Sequence, residues 1–113
     1  MDLDNFTFTV GNRTYESISF LRKDEKSVSG HIMTKRADEM NAKLGKDDGQ
    51  YLLDNQHLLP STLQGKVLVF PSWIHPNPPD SVKCIIYPHN QWVWDWFLLD
   101  YLWDKERILL RRK

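Results

Sequence analysis

The sequence predicts an α+β domain: an N-terminal β-hairpin, two short helices, then an antiparallel meander of about four strands with the helices packed on one face. Three observations carry this. Apolar residues alternate with polar ones near the N-terminus, at Phe6, Phe8, Val10, Ile18 and Phe20. The period lengthens to three or four residues only between Ile32 and about Gln56. Beyond Pro60 the apolar runs are short and separated by proline, asparagine and aspartate. Period two marks half-buried strands and period 3.6 marks an amphipathic helix; strands kept apart from helices point to α+β rather than to βαβ units.

Taken in order, Phe6–Val10 and Thr14–Phe20 flank Gly11-Asn12, a pair that tolerates the positive φ of a hairpin turn. The predicted hairpin spans 6–21. Arg22 to Gly30 is polar and charged and reads as an exposed connection. Met33, Ala37, Met40 and Leu44 then fall at i, i+4, i+7 and i+11, one face of a helix over 32–44, with Gly45 placed to end it. A second helix is predicted over 48–56, with Asp47 and Gln50 spaced as a capping box.

Lys66–Phe70 reads as a central strand that Pro71 ends, because proline cannot donate to a ladder. Ile74–Asp80 carries three prolines and reads as a stiff loop. Val82–Tyr87 is the next strand, and Pro88-His89-Asn90 turns the chain into a Trp-rich strand from Gln91. Asp104–Glu106 is a turn, and Arg107–Arg111 closes the sheet. With 113 residues, no internal repeat and no composition break, residues 1–113 read as a single globular domain.

Composition limits what such a domain does. Fifteen basic and fifteen acidic residues give a formal net charge of zero, which argues against a general polyanion binder and leaves self-association permitted. A lone cysteine, Cys84, excludes an intramolecular disulfide and a thiolate-rich zinc site. The acidic start Met1-Asp2-Leu3-Asp4-Asn5 lacks the basic and apolar regions of a secretion signal, so a cytoplasmic location is expected. No apolar run approaches the roughly 20 residues of a membrane span. No metal or cofactor is expected, since histidines, cysteine and acids show no ligand spacing, and no catalytic motif is present.

The remaining signal is aromatic. Four of the five tryptophans, Trp92, Trp94, Trp96 and Trp103, fall within twelve positions. In a strand, Trp92, Trp94, Trp96 and Leu98 share one face while Val93, Phe97 and Leu99 share the other, so both faces need cover. Tryptophan is highly buried on average, which makes core packing the first explanation. The alternative is an aromatic platform for another protein or a second copy of this chain, a possible homodimer, because Trp and Tyr dominate binding energies. The candidate partner-binding residues are Trp73, Trp92, Trp94, Trp96, Tyr101 and Trp103, with Tyr87 as a neighbour. This reading predicts that at least two of the Trp92, Trp94 and Trp96 rings are exposed or covered by a second subunit, and it fails if all three are enclosed.

Two further classes are set beside it. Arg107, Arg111 and Arg112 could join the aromatics to hold single-stranded nucleic acid, which needs base stacking beside a positive groove. A small enzyme would need Cys84 or one of His31, His57, His75 and His89 in a pocket with a second polar group.

Overall fold

The computed structural model describes residues 5–113; of the acidic start, Met1–Asp4 lies outside the described residues. The chain is α+β, with a mixed six-stranded sheet, a small two-stranded sheet and two helices. Strands β1 (Thr7–Val10) and β2 (Arg13–Ile18) form the N-terminal hairpin, with Val10 opposite Arg13 and Gly11 at φ +61° in the turn. A short β3 (Ser27–Ser29) leads into α1 (Gly30–Glu39), and α2 (Lys46–Asp54) follows. Two single 3₁₀ turns, Gln56–Leu58 and Ser61–Leu63, connect to β4 (Val67–Ile74). Strands β5 (Ser81–Ile86), β6 (Val93–Leu98), β7 (Leu102–Asp104) and β8 (Arg107–Arg112) complete the chain.

The large sheet has the order β1-β2-β8-β4-β5-β6, antiparallel throughout except for the β4–β8 pair. The expected meander holds for β4, β5 and β6. β8 instead runs back between the hairpin and the meander. The edges of β2 and β4 both lack a partner otherwise, and β8 satisfies both, antiparallel to one and parallel to the other. As a central strand covered on both faces it buries Ile108, Leu109 and Leu110 in succession.

Alternation along the strands separates two cores. Phe8, Val10, Tyr15, Leu68, Phe70, Ile85, Ile108 and Leu110 point to one face and pack with Leu52 of α2, Leu59, Leu63 and Trp92. Ile18, Val69, Val82, Cys84 and Leu109 point to the other and pack with Met33 and Ala37 of α1, Val28 of β3 and Trp103 of β7. The helices therefore divide between the faces rather than sharing one. What covers the second face is α1 together with the β3–β7 ribbon.

That ribbon corrects the expected exposed connection over 22–30 and the uninterrupted Trp-rich strand. Val28, buried, sits opposite Trp103, and both flank the start of α1. Gly30 must be a glycine here, because a Cβ would lie 2.6 Å from the Leu99 backbone and 2.8 Å from the Trp103 indole nitrogen. Ser29 caps α1 by accepting from the Ile32 N–H at 3.3 Å.

Both helices are displaced from their expected limits, for identifiable reasons. α1 stops at Glu39 because Asn41 takes a left-handed φ of 56°. Ala42 then donates to the Ala37 carbonyl at 2.8 Å and Asn41 to that of Asp38 at 3.2 Å, the Schellman pattern. Gly45 is not the stop of α1 but the N-cap of α2, without a side-chain capping bond, so no Asp47 capping box forms. Asp47 and Asp48 lie in the first turn instead, where carboxylates suit the helix dipole. Asp48, 6% exposed, accepts from the Tyr15 hydroxyl at 2.7 Å and from Arg13 at 3.2 Å. That network ties α2 to the hairpin. Burial, and next the hydrogen bond to Asp48, raise the pKa of the Tyr15 phenol well above its ordinary value.

Candidate binding site on the face of β5 and β6

β6 is an edge strand, with β5 on one side and no strand on the other among the described residues. Lys83 of β5 faces Trp96, and Ile85 faces Trp94. β4 contributes the third wall in an unexpected way. Rather than ending at Pro71 it continues to Ile74, with its register to β5 broken between Phe70 and Ile74. In the break, where proline has no N–H to offer, Ser72 leaves the ladder and donates to the Leu44 carbonyl at 2.9 Å. Trp73 thereby comes to lie over β5.

The result is a lysine enclosed by tryptophans. Lys83 Nζ lies 3.8 Å from the ring centroid of Trp73, 3.6 Å from that of Trp94 and 4.9 Å from that of Trp96. A cation this close to indole faces is held by the ring quadrupoles, by about 0.5–2 kcal/mol per ring. Trp94 and Trp96 meet edge to face at 6.0 Å, and His75 meets Trp96 in a second edge contact at 4.8 Å. Lys83 is only 8% exposed, and Nζ makes no ion pair or hydrogen bond among the described residues. Burial, with a smaller contribution from the positive charge of Lys46, holds its pKa below the ordinary lysine value.

Trp73 is placed by α2. At Gly49 a Cβ would lie 2.6 Å from two ring carbons of Trp73 and 3.4 Å from Phe70. Only a glycine lets the helix backbone rest on the indole. Trp94 completes the site from the solvent side, 49% exposed.

The backbone edge of β6 is partly closed. Leu99 donates to the Asp80 carbonyl at 2.9 Å, which continues the ladder by one residue beyond the Ser81–Leu98 pair. By antiparallel alternation, Val93, Asp95 and Phe97 then bond to β5 while Trp94, Trp96 and Leu98 turn their peptide groups outward. Two of those outward groups are already occupied. The Trp96 N–H donates to Asp95 Oδ1 at 2.7 Å, and the Leu98 carbonyl accepts from the Trp103 indole at 3.0 Å. Such occupation, with a charged side chain on the strand, is how natural sheets discourage edge-to-edge pairing.

The sequence-predicted residues are thus sorted by position. Trp73, Trp94 and Trp96 come together around Lys83, but of the three stripe tryptophans only Trp94 is exposed, Trp96 being half-buried and Trp92 buried, where two exposed rings were expected. Trp92, at 3% exposure, is in the first core against Tyr87, and its N–H donates to Gln56 Oε1 at 3.1 Å. Trp103, at 1%, is in the second core against Phe97. These two cannot meet a partner, because the 3₁₀ turns and the β3–β7 ribbon respectively cover them. Tyr101 is 66% exposed beyond the end of β6, where its carbonyl accepts from Gly30 N–H. Lys83 is the residue that the reading of aromatics alone passes over. Its signal is a lysine in the middle of Val82-Lys83-Cys84-Ile85-Ile86, a strand otherwise apolar on both faces.

The basic residues of the C-terminus go elsewhere. Arg111 bonds Glu16 at 2.7 Å, and Arg112 lies 3.7 Å from Asp48. Arg107 lies 3.5 Å from Asp104 and stacks over Phe97 and Trp103 on the second face. β8 is three strand spacings, about 14 Å, from β6. These arginines and the Trp94–Trp96 pair do not form one groove.

Cys84 points to the second face, fully buried, and burial pushes its thiol well above the usual range. His31 pairs with Asp100 at 2.7 Å at the surface, and no histidine is hydrogen-bonded to Cys84 among the described residues. No group of three potential metal ligands occurs among the described residues, and no helix among them is long and apolar enough to cross a membrane. Comparison with protein-family models, with characterised proteins and with solved structures finds no match for this chain.

Proposed function

We propose that this chain is a non-catalytic protein-interaction module that takes its partner on the aromatic face of β5 and β6. The observation that carries the reading is Trp94, held by Lys83 at 3.6 Å yet 49% exposed on an edge strand. A large ring fixed in place contributes contact area to a partner at little entropic cost, which is why tryptophan is enriched among the residues that dominate interfaces. The occupied edge groups favour side-chain contact on the face over addition of a strand from a second copy. Leu98, at 38% exposure, has the same strand parity as Trp94 and Trp96 and extends the apolar surface of that face.

The test is a photo-crosslinking phenylalanine analogue incorporated at position 94, with position 35 on exposed Lys35 of α1 as the control. Capture of a discrete protein from position 94 and not from position 35 is expected, and Trp94→Ala in the unlabelled competitor should abolish its competition. Capture only of the chain itself would redirect the reading to a homodimer, which light scattering would report as a doubled mass. Equal labelling from both positions would refute it.

A further inference from the structure

The charge at the centre of this face has a consequence for what the partner carries. Most of the Lys83 side chain is buried, but its Nζ keeps contact with solvent, presents three N–H donors and has no acceptor for any of them among the described residues. The rings around it hold a positive charge but accept no conventional hydrogen bond. Lys46, the exposed first residue of α2, has no salt bridge among the described residues and adds to the positive potential that Lys83 feels. No carboxylate among the described residues pairs with Lys83, and Asp95, between Trp94 and Trp96 in the chain, has the opposite strand parity and accepts from the Trp96 N–H. An unpaired ammonium that solvent reaches between indole rings is open to an acceptor from outside, and a carboxylate there gains a charge-assisted bond.

Resting on the reading of this face as a partner surface, we infer that the partner supplies an aspartate or glutamate whose carboxylate docks on Lys83, with apolar side chains beside it on Trp94 and Trp96. The geometry sets the order of events. Trp94 is the exposed wall, so the ammonium is reached past that ring. The carboxylate accepts from Nζ at the open side while Trp73 stays against the closed side, clamped by Gly49 of α2. A neutral amide of the same shape meets the same rings but not the charge-assisted bond, which is roughly twice as strong as a neutral one. An ammonium on the partner would be repelled by Lys83 and Lys46 together.

Hexanoate and hexanamide, a carboxylate and an amide on one apolar chain, test this without knowledge of the partner's fold. The readout is the indole N–H resonances of Trp73, Trp94 and Trp96 in the ¹⁵N-labelled full chain. Hexanoate should shift the Trp94 and Trp96 resonances saturably, with an apparent affinity at least tenfold above that of hexanamide. Lys83→Met should remove the preference and Lys83→Arg should keep it, with dispersed amide spectra confirming that both remain folded. Equal binding of acid and amide, a preference that survives in Lys83→Met, or no shift with either ligand would each overturn the inference. The two readings fail separately. Crosslinking at position 94 with no acid preference leaves the interaction face and removes the carboxylate. An acid preference with no protein captured makes Lys83 a small-molecule site and removes the partner.

Discussion

Gly49→Ala tests the seating of α2 on Trp73, on which the whole site depends. In an ordinary exposed helix the substitution stabilises by about 1 kcal/mol, since glycine is among the poorest helix formers. Here the new methyl carbon would stand 2.6 Å from Trp73 Cε3 and Cζ3, and ordinary contact begins near 3.4 Å. The ring must therefore retreat by about 1 Å, toward a Lys83 ammonium already 3.8 Å from its centroid. Overpacking of this kind costs about 1–3 kcal/mol, and a flat, rigid neighbour belongs in the upper half of that range. The net expectation is a loss of about 1–2 kcal/mol, or a fall in Tm of roughly 4–10 °C for a chain of this size. Thermal and urea unfolding measure it. In a Trp73→Ala background the obstruction is gone, Phe70 stands at an acceptable 3.4 Å, and Gly49→Ala should regain its helical benefit of about 1 kcal/mol. The difference between backgrounds is a coupling of about 2–3 kcal/mol, within the range seen for residues in contact. If Gly49→Ala stabilises the wild-type background, or acts alike in both, then Trp73 is not held by the helix and the described cage is wrong.

Two further substitutions probe the supports of the second face. Asn41→Ala forces an alanine into a left-handed φ of 56° and should cost about 1 kcal/mol in urea unfolding, whereas Asn41→Gly should be neutral or stabilising; equal losses would mean that the asparagine side chain, not its backbone, ends α1. Glu25 accepts two bonds from Arg36, at 2.6 and 3.0 Å, and the N–H of Arg22, and these hold its pKa at about 2 against an ordinary 4.5. A carboxylate with a lowered folded pKa contributes stability that is present above 4.5 and is lost as pH falls from there toward 2. Unfolding midpoints for Glu25→Gln should accordingly decline less steeply than wild type across that window, and parallel declines would show that the pair contributes nothing.

Much of the fold was legible because it rests on local pattern. Alternation located the hairpin, short apolar runs bounded by proline and asparagine located the β4–β6 meander, and the longer period at Met33 and Ala37 located α1. The parts that were not legible depend on distant residues. Val28 is a single apolar residue between two serines, too short a signal for a strand, and becomes one only because Trp103 lies opposite it. Gly45 and Asn41 both satisfy the local rules for ending a helix, and packing of Ala42 into the second core decides for Asn41. β8 is apolar on both faces, which implies a central strand, but its direction relative to β4 follows from chain connectivity that periodicity does not encode. At the site, the Trp stripe was visible and Lys83 was not given its place, because a lone lysine in a strand is read as surface until Trp73 arrives through a break in β4.

Strand parity put Trp92, Trp94 and Trp96 on one face, yet the three end in different surroundings. The 3₁₀ turns, through Gln56 and Leu59, close over the Trp92 end, where the indole reinforces the core. Toward Trp96 the cover is Trp73, propped by Gly49, the lysine between them and the His75 ring. An apolar residue at position 83 would fill the space of the lysine stem without partly desolvating a charge. Stability alone therefore gives no reason for an ammonium there. Cation–π attraction offsets part of its desolvation, but that attraction holds the charge without using its three donors. The ammonium keeps solvent contact beside one half-exposed indole, so the proposed carboxylate would replace water on those donors rather than fill a sealed cavity.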